Sequence, residues 1–435
     1  MIILAHIPII LSCFILGAHF MRGGNHGLML VFALLPLLML SRRRWVGIVM
    51  PLVLATGALI WLDTIAQIAS LRARMGQDWV RMAVILGAVT AITAGSALLF
   101  LTKRLKNRYN QFPETATASA VGFIITGLLL TIVHLKVPLT LLLVERFWPT
   151  MGWVEILALS IYAAFVVEKM LDKTQTARWR RRIWLLFSVV FFAQLIIGLL
   201  GVERFLMTGN LHLPVPAMIA AGPIYRGHNF FMPILFLSTV ILVGPAWCSH
   251  LCYIGSWDSA ASDVKRKPQK LPPWTARVRW GILAFIIAAA IILRLAGVPS
   301  LIATILGLTF GLVGVLVMLL WSRKIGVMAH CVVYCPIGLV ANWLGKVSPF
   351  RVRINDSCTD CGICRMSCKY NALNMTDIKN RKPAISCTLC GDCIGSCEHS
   401  SLEYRFWNYK AKAARTVFIV MVVSLHAACL GLARI

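Results

Sequence analysis

The chain has 435 residues, 59% hydrophobic and only 14% charged, with 14 Trp and a mean hydropathy of +0.79. An ordinary globular chain is about 45–50% apolar and about 25% charged, so the composition excludes a water-soluble fold, a disordered chain and a disulfide-stapled secreted module. The net charge is +27, from 43 Lys and Arg against 16 Asp and Glu, but the cations fall in bursts between apolar runs, which marks membrane topology rather than a nucleic-acid surface.

Runs that meet the length of a bilayer span, about 20 residues, lie near 3–21, 27–40, 45–62, 82–101, 120–143, 151–171, 183–201, 229–247, 280–297, 301–321 and 415–433. The fold class expected is therefore an all-α polytopic membrane protein of about 11 transmembrane helices. Met21-Arg22-Gly23-Gly24-Asn25 joins the first two runs and predicts a helical hairpin. No Lys or Arg directly follows Met1 and no small-residue cleavage site stands near Ala18, so the first run reads as a retained anchor. The basic bursts are Arg42-Arg43-Arg44, Lys103-Arg104 with Lys106 and Arg108, Arg180-Arg181-Arg182, and Lys265-Arg266-Lys267. A cytoplasmic N-terminus puts all of them on the cytoplasmic side, as the positive-inside rule requires, and 322–414 with them.

Histidines inside apolar runs are functional candidates by default. His6, His19, His134 and His426 are of this kind. They bond to neighbouring helices, ligate a b-type haem, or, for His134 with Glu155 or Glu168, line a quinone pocket. Glu203, Arg204, His212 and His228 occupy the loop 202–228 among Pro214, Pro216 and Pro223, which is a plain connector or a seat for a quinol head group or an external partner.

Eight of the 14 cysteines form two runs, Cys358-x2-Cys361-x2-Cys364-x3-Cys368 and Cys387-x2-Cys390-x2-Cys393-x3-Cys397. This is the spacing of bacterial two-cluster ferredoxins, in which three near thiolates wrap one cubane and the fourth reaches the other. It assigns Cys358, Cys361, Cys364 and Cys397 to one [4Fe-4S] cluster, and Cys387, Cys390, Cys393 and Cys368 to a second. Disulfides do not suit a reducing cytoplasm, and zinc takes its ligands as separated pairs. Lys369 and Glu398 stand where Pro usually follows such runs; their opposite charges are expected to move the two potentials in opposite directions. A small α+β 2[4Fe-4S] ferredoxin domain is thus expected before the last helix.

Two further pairs, Cys248/Cys252 and Cys331/Cys335, each follow the end of a predicted span. At i and i+4 on a helix each pair would face one way. Together they would offer four thiolates for a metal or an additional iron-sulfur cluster; thiol exchange and simple packing are the alternatives.

A C-x3-C element after one span, the C-x3-C-P element Cys331–Pro336 after a later one with Gly338 and Asn342-Trp343-Leu344-Gly345-Lys346 behind it, and then a double ferredoxin repeat resemble the membrane polyferredoxins. That family includes the quinol-side component of periplasmic nitrate reduction, the membrane flavoprotein of nitrous oxide reduction and the accessory protein of cbb3-type oxidase assembly. The resemblance covers about 229–405. Tyr253 departs from it by replacing the Pro expected after the first pair, no large extracytoplasmic domain is present to carry a covalent flavin, and the spans before 228 are additional. The domains read as an N-terminal bundle (1–228), a polyferredoxin-type membrane core (229–347), a cytoplasmic ferredoxin domain (348–406) and a final span (407–435).

The function expected is electron transfer in the bacterial inner membrane. Electrons would pass between the cytoplasmic module and a quinone or extracytoplasmic redox partner, by way of the boundary cysteines. The alternative is an assembly or metal-handling factor whose clusters reduce a delivered metal. The partners expected are membrane lipid and redox proteins, with no nucleic acid. No hydride site, P-loop or hydrolytic triad is visible.

Overall fold

The structure, a computed structural model, describes residues 2–110, 113–206, 213–265 and 267–432; His212 and Arg266 lie outside the described residues. Helices dominate, since in hydrocarbon each backbone N–H and C=O must be bonded within its own segment. Among the described residues nine helices are long and apolar enough to span a bilayer: Ala5–Arg22, Arg44–Arg74, Val80–Leu101, Thr115–Lys136, Thr176–Leu199, Phe231–His250, Thr275–Leu295, Ser300–Ile325 and Ala411–Leu432. The chain is a membrane protein. The other two expected runs also fold as helices: His26–Leu40 is short, and Gly152–Leu171 has 20 residues but carries Glu155, Glu168 and Lys169.

Two compact units form, Met1–Glu168 and Lys169–Ile435. The first buries Ile9, Leu16, Trp45, Met50 and Leu54 together. Its first two helices form the expected hairpin. Gly24 takes a left-handed φ of 76°, and Asn25 caps the second helix by accepting the Leu28 N–H at 3.0 Å. Three acids of this unit are held in place. Glu168 pairs with Arg43. Glu145 accepts the N–H groups of Thr150 at 3.1 Å and Gly152 at 2.7 Å, and Glu155 accepts that of Val144 at 2.9 Å. His134 packs edge-on to Trp153, and His19 to Trp61.

The second unit contains every C-x3-C and ferredoxin cysteine. It also takes in Thr176–Leu199, which the sequence reading grouped with the N-terminal bundle. The reason lies in its side chains, which bond to the cysteine segments as described below. Within the ferredoxin region, β1 (Phe350–Ile354) and β2 (Leu402–Phe406) pair antiparallel, Phe350 opposite Phe406 and Ile354 opposite Leu402. Alternation puts Phe350 and Tyr404 on the buried face. Both pack on Phe418 of the last span, at ring distances of 5.3 and 4.5 Å, and burying each such ring is worth about 1.5–3 kcal/mol. The sheet thereby fastens the cysteine-rich domain to a membrane helix. In the same helix His426 Nδ1 lies 3.1 Å from the His250 carbonyl. His228 is exposed, its Nδ1 3.0 Å from the Arg226 carbonyl.

Candidate functional site

The two C-x3-C pairs meet. Cys248, Cys252, Cys331 and Cys335 line one pocket of about 360 Å³, closed by Trp247, Gly338 and Asn342 and, from the ferredoxin region, by Tyr370 and Thr388. The pairs are built alike, as C-x3-C-x-Ile-Gly ending at Gly255 and Gly338. After its second cysteine each enters a new helix, Gly255–Asp263 or Pro336–Leu344. The first amides of that helix point back at the sulfur: Ile254 and Gly255 at Cys252, Ile337 and Gly338 at Cys335.

The expected helical i, i+4 geometry is not what unites each pair. Cys248 lies in the short helix Trp247–His250 and Cys252 beyond its end. Cys331 lies in a widened turn, His330–Tyr334, closed by the Cys335 N–H on the His330 carbonyl at 2.7 Å. Cys335 is extended, with φ −75° and ψ 115°, because the residue before a proline is pushed out of the helical region. At the place of the missing proline, Tyr253 instead stacks on Phe191 at 4.0 Å.

Both glycines are required by space. A Cβ on Gly338 would stand 2.6 Å from the Cys331 carbonyl oxygen; one on Gly255 would stand 2.4 Å from the Trp184 ring and 3.0 Å from the Cys248 carbonyl. Gly338→Val is therefore expected to destabilise the second unit by about 1–3 kcal/mol through overpacking and to lower the cofactor content of this pocket, measured as iron per chain beside a thermal melt.

Neighbouring groups fix the cysteine segments. Trp184 Nε1 donates to the Cys252 carbonyl at 2.6 Å, and the Cys331 N–H donates to Asp258 at 2.9 Å. Burial pushes the Asp258 carboxyl up to about 6. Burial likewise pushes the Cys252 thiol up to about 12 and raises those of Cys331 and Cys335. All 14 cysteines are free.

The ferredoxin cysteines stand in two groups. Cys368, Cys387, Cys390 and Cys393 line a second pocket of about 350 Å³. Cys358, Cys397 and Cys361 lie close enough to Cys364 to act on its thiol electrostatically. The repeat is visible in detail: Cys368 accepts the Ala372 N–H at 3.2 Å and Cys397 the Ser401 N–H at 3.3 Å, each donor four residues after its cysteine. Gly362 and Gly391 each follow a second cysteine in the left-handed conformation, which glycine adopts without strain. Burial pushes the Cys368, Cys387 and Cys390 thiols up to about 12.

Among the described residues no three His, Cys, Asp or Glu side chains are grouped to hold one metal ion. Cys248, Cys252, Cys331 and Cys335 line one pocket and Cys368, Cys387, Cys390 and Cys393 another, and Thr388 Oγ1 and Asn342 Oδ1 at the first pocket have no hydrogen-bond partner. Four cysteines on one pocket, with backbone N–H groups directed at Cys252 and Cys335, are a donor set that suits an iron-sulfur cluster.

Sequence reasoning missed the residues that join these parts. Arg180, counted only as a topology signal, is buried and donates to both carboxylate oxygens of Asp392 at 3.0 and 2.6 Å and to the Ser249 carbonyl at 3.1 Å. An acid lying between Cys390 and Cys393 was the legible hint, since such a group needs a cation when buried. Lys369 donates to the carbonyls of Ser262 and Lys265 and pairs with Asp263 at 3.6 Å, so its charge is engaged in docking. Tyr370 and Thr388 line both pockets. They are held across the seam: the Tyr370 hydroxyl reaches the Cys248 carbonyl at 3.5 Å, and the Ser249 hydroxyl donates to the Thr388 carbonyl at 3.0 Å.

These features are those of an iron-sulfur site in a membrane protein. The 4Fe-4S binding domain family matches residues 227–270 and 304–355, the stretches that carry Cys248 with Cys252 and Cys331 with Cys335. A protein of Escherichia coli (strain K12) named as an electron transport protein, YccM, is 28% identical over 196 residues, which are 40% of this chain and 52% of that relative. The chain thus spans about half the length of the relative it matches. No solved structure matches the chain. Family match and relative together support an iron-sulfur, electron-transfer role.

Proposed function

We propose that the chain is a multi-pass electron-transfer protein of the bacterial inner membrane, of the polyferredoxin kind. It would pass electrons between a cytoplasmic ferredoxin domain (348–406) and a quinone or extracytoplasmic redox partner. The N-terminus and the basic loops face the cytoplasm in this reading, with 1–228 as the added bundle, 229–347 as the membrane core and 407–435 as the final span.

Cys358, Cys361, Cys364 and Cys397 hold the outer [4Fe-4S] cluster, and Cys361 is exposed to solvent, where a soluble partner can approach. Cys368, Cys387, Cys390 and Cys393 hold the inner one. Cys248, Cys252, Cys331 and Cys335 hold a third centre at the end of the span Phe231–His250. Such clusters, when bound, store and pass one electron at a time. The protein's part is to hold the sites in sequence, keep water out and tune them through backbone N–H groups. The observation that carries the reading is the common wall: Tyr370, two residues after the ligand Cys368, and Thr388, next to the ligand Cys387, line the inner ferredoxin pocket and the C-x3-C pocket alike.

Anaerobically purified protein should contain about twelve iron atoms and as many acid-labile sulfides per chain, four for each centre, and should be reoxidised by added quinone after reduction with dithionite. Colourless protein without sulfide would end the proposal; reversible copper binding linked to cluster oxidation, without quinone turnover, would transfer it to a metal-handling role. Cys361→Ser is expected to abolish one of the reduced-cluster paramagnetic signals and spare the others.

A further inference from the structure

The second unit buries two arginines of opposite circumstance. Arg180 has Asp392 as a bidentate counter-ion. Arg279, the fifth residue of the helix Thr275–Leu295, is 6% exposed, and its Nε and Nη2 have no hydrogen-bond partner. A guanidinium keeps its charge under almost any conditions, and a charge taken out of water without a compensating partner is costly. Something must repay that cost.

The helix that carries Arg279 packs against both His330–Tyr334 and Pro336–Leu344. These are the segments that deliver Cys331 and Cys335. Nη2 lies 4.0 Å from where a Cβ on Gly338 would stand, and Gly338 lines the C-x3-C pocket. The ionisable groups that act on Arg279 are Cys248, Cys335 and Cys331, with no carboxylate among them. The unmatched cation therefore stands beside the four-cysteine pocket.

We propose that Arg279 is the counter-charge of that pocket, a fixed cation that favours an anionic iron-sulfur centre there and raises its reduction potential. The proposal rests on the reading that Cys248, Cys252, Cys331 and Cys335 hold such a centre. A [4Fe-4S] core held by four thiolates is negative overall and gains one further negative charge when a donor, here dithionite, gives it one electron; no bond breaks and no proton is required. A cation at fixed distance lowers the energy of the reduced form more than that of the oxidised form. Arg279 is thus a positioning charge, acting through space on the ligand sulfurs. Burial strengthens the effect, because the field is not screened by water or salt.

The test is a redox titration of the whole protein followed by paramagnetic resonance, with iron and sulfide assayed on the same samples, for the wild type, Arg279→Gln and Arg279→Lys. The signal of the C-x3-C centre is identified as the one lost in Cys248→Ser. Arg279→Gln is expected to make that centre at least tenfold harder to reduce, a fall of about 59 mV for one electron, while the two ferredoxin signals keep their midpoints. Arg279→Lys should restore most of the difference. An unmoved midpoint in Arg279→Gln at full iron content overturns the assignment, and so does an equal shift of all three signals. If Arg279→Gln fails to retain the centre, Arg279→Lys decides: retention supports the counter-charge, and loss in both variants overturns it in favour of a packing role. Wild-type protein with iron for two centres only would overturn the cluster reading itself, and this proposal with it, before any midpoint is compared.

Discussion

Serine at position 248 is expected to take about four of about twelve iron atoms from the protein and to slow quinone-dependent reoxidation by more than about 100-fold, while both ferredoxin signals remain. Even an outer partner of a metal ligand is worth about 10–100-fold in affinity or activity, and a ligand itself is worth more. The specificity of the loss follows from the partition of the sulfurs. Cys248 lines the C-x3-C pocket and is absent from the lining of the inner ferredoxin pocket. Its backbone is held separately, within Trp247–His250 and by the Tyr370 hydroxyl on its carbonyl, so a side-chain change leaves the seam standing. Iron analysis, resonance spectra and stopped-flow reoxidation check the expectation together; full quinone turnover in Cys248→Ser would remove the pocket from the electron path.

Arg180→Ala is expected to loosen the ferredoxin domain from its membrane helix. The Arg180 and Asp392 side chains are 3% and 17% exposed, and removing one member of such a buried pair costs about 3–5 kcal/mol, largely because the other charge is left uncompensated. Asp392 stands directly before Cys393, which lines the inner ferredoxin pocket, so the damage falls where that pocket meets the C-x3-C one. Transfer of electrons out of the reduced ferredoxin domain should slow, and amide exchange across 387–395 should quicken. Lys369→Ala provides the contrast: its ion pair with Asp263 lies nearer the surface, the Asp263 side chain being 39% exposed, and a pair of that kind is worth about 0.2–1 kcal/mol. Equal protection of 387–395 in Arg180→Ala and wild type would show that the remaining contacts, among them the sheet on Phe418 and the Lys369 and Ser249 bonds, hold the domain without Arg180.

Lys369 and Glu398 show where local reading stops. As charges flanking two cysteine runs they suggest opposite effects on two potentials. In the fold Glu398 faces solvent, whereas Lys369 is spent on Ser262, Lys265 and Asp263, so its field is largely met by acceptors already in place. Residues 358, 361, 364 and 397 could be grouped from spacing because ligands that wrap one cubane must be close along the chain or paired by the internal repeat. Arg279 could not be singled out, since in the sequence it is one cation more in the basic stretch 264–279.

What the sequence by itself determined is what short-range chemistry dictates: spans from runs of apolar residues, the helical hairpin from Gly24 and Asn25, and the two ferredoxin cysteine runs from ligand spacing. What only the tertiary structure decided is which distant groups share a volume. Cys248 and Cys335 line one pocket, Tyr370 and Thr388 stand between two, Arg180 finds Asp392 across 212 positions of sequence, and Arg279 is left beside the C-x3-C pocket without a carboxylate partner. The physical reason is that burial turns such encounters from incidental into obligatory: away from water a charge, an N–H or a carbonyl must find its partner wherever the packing of helices brings one. That packing is a property of whole helix faces, which no local pattern of residues spells out.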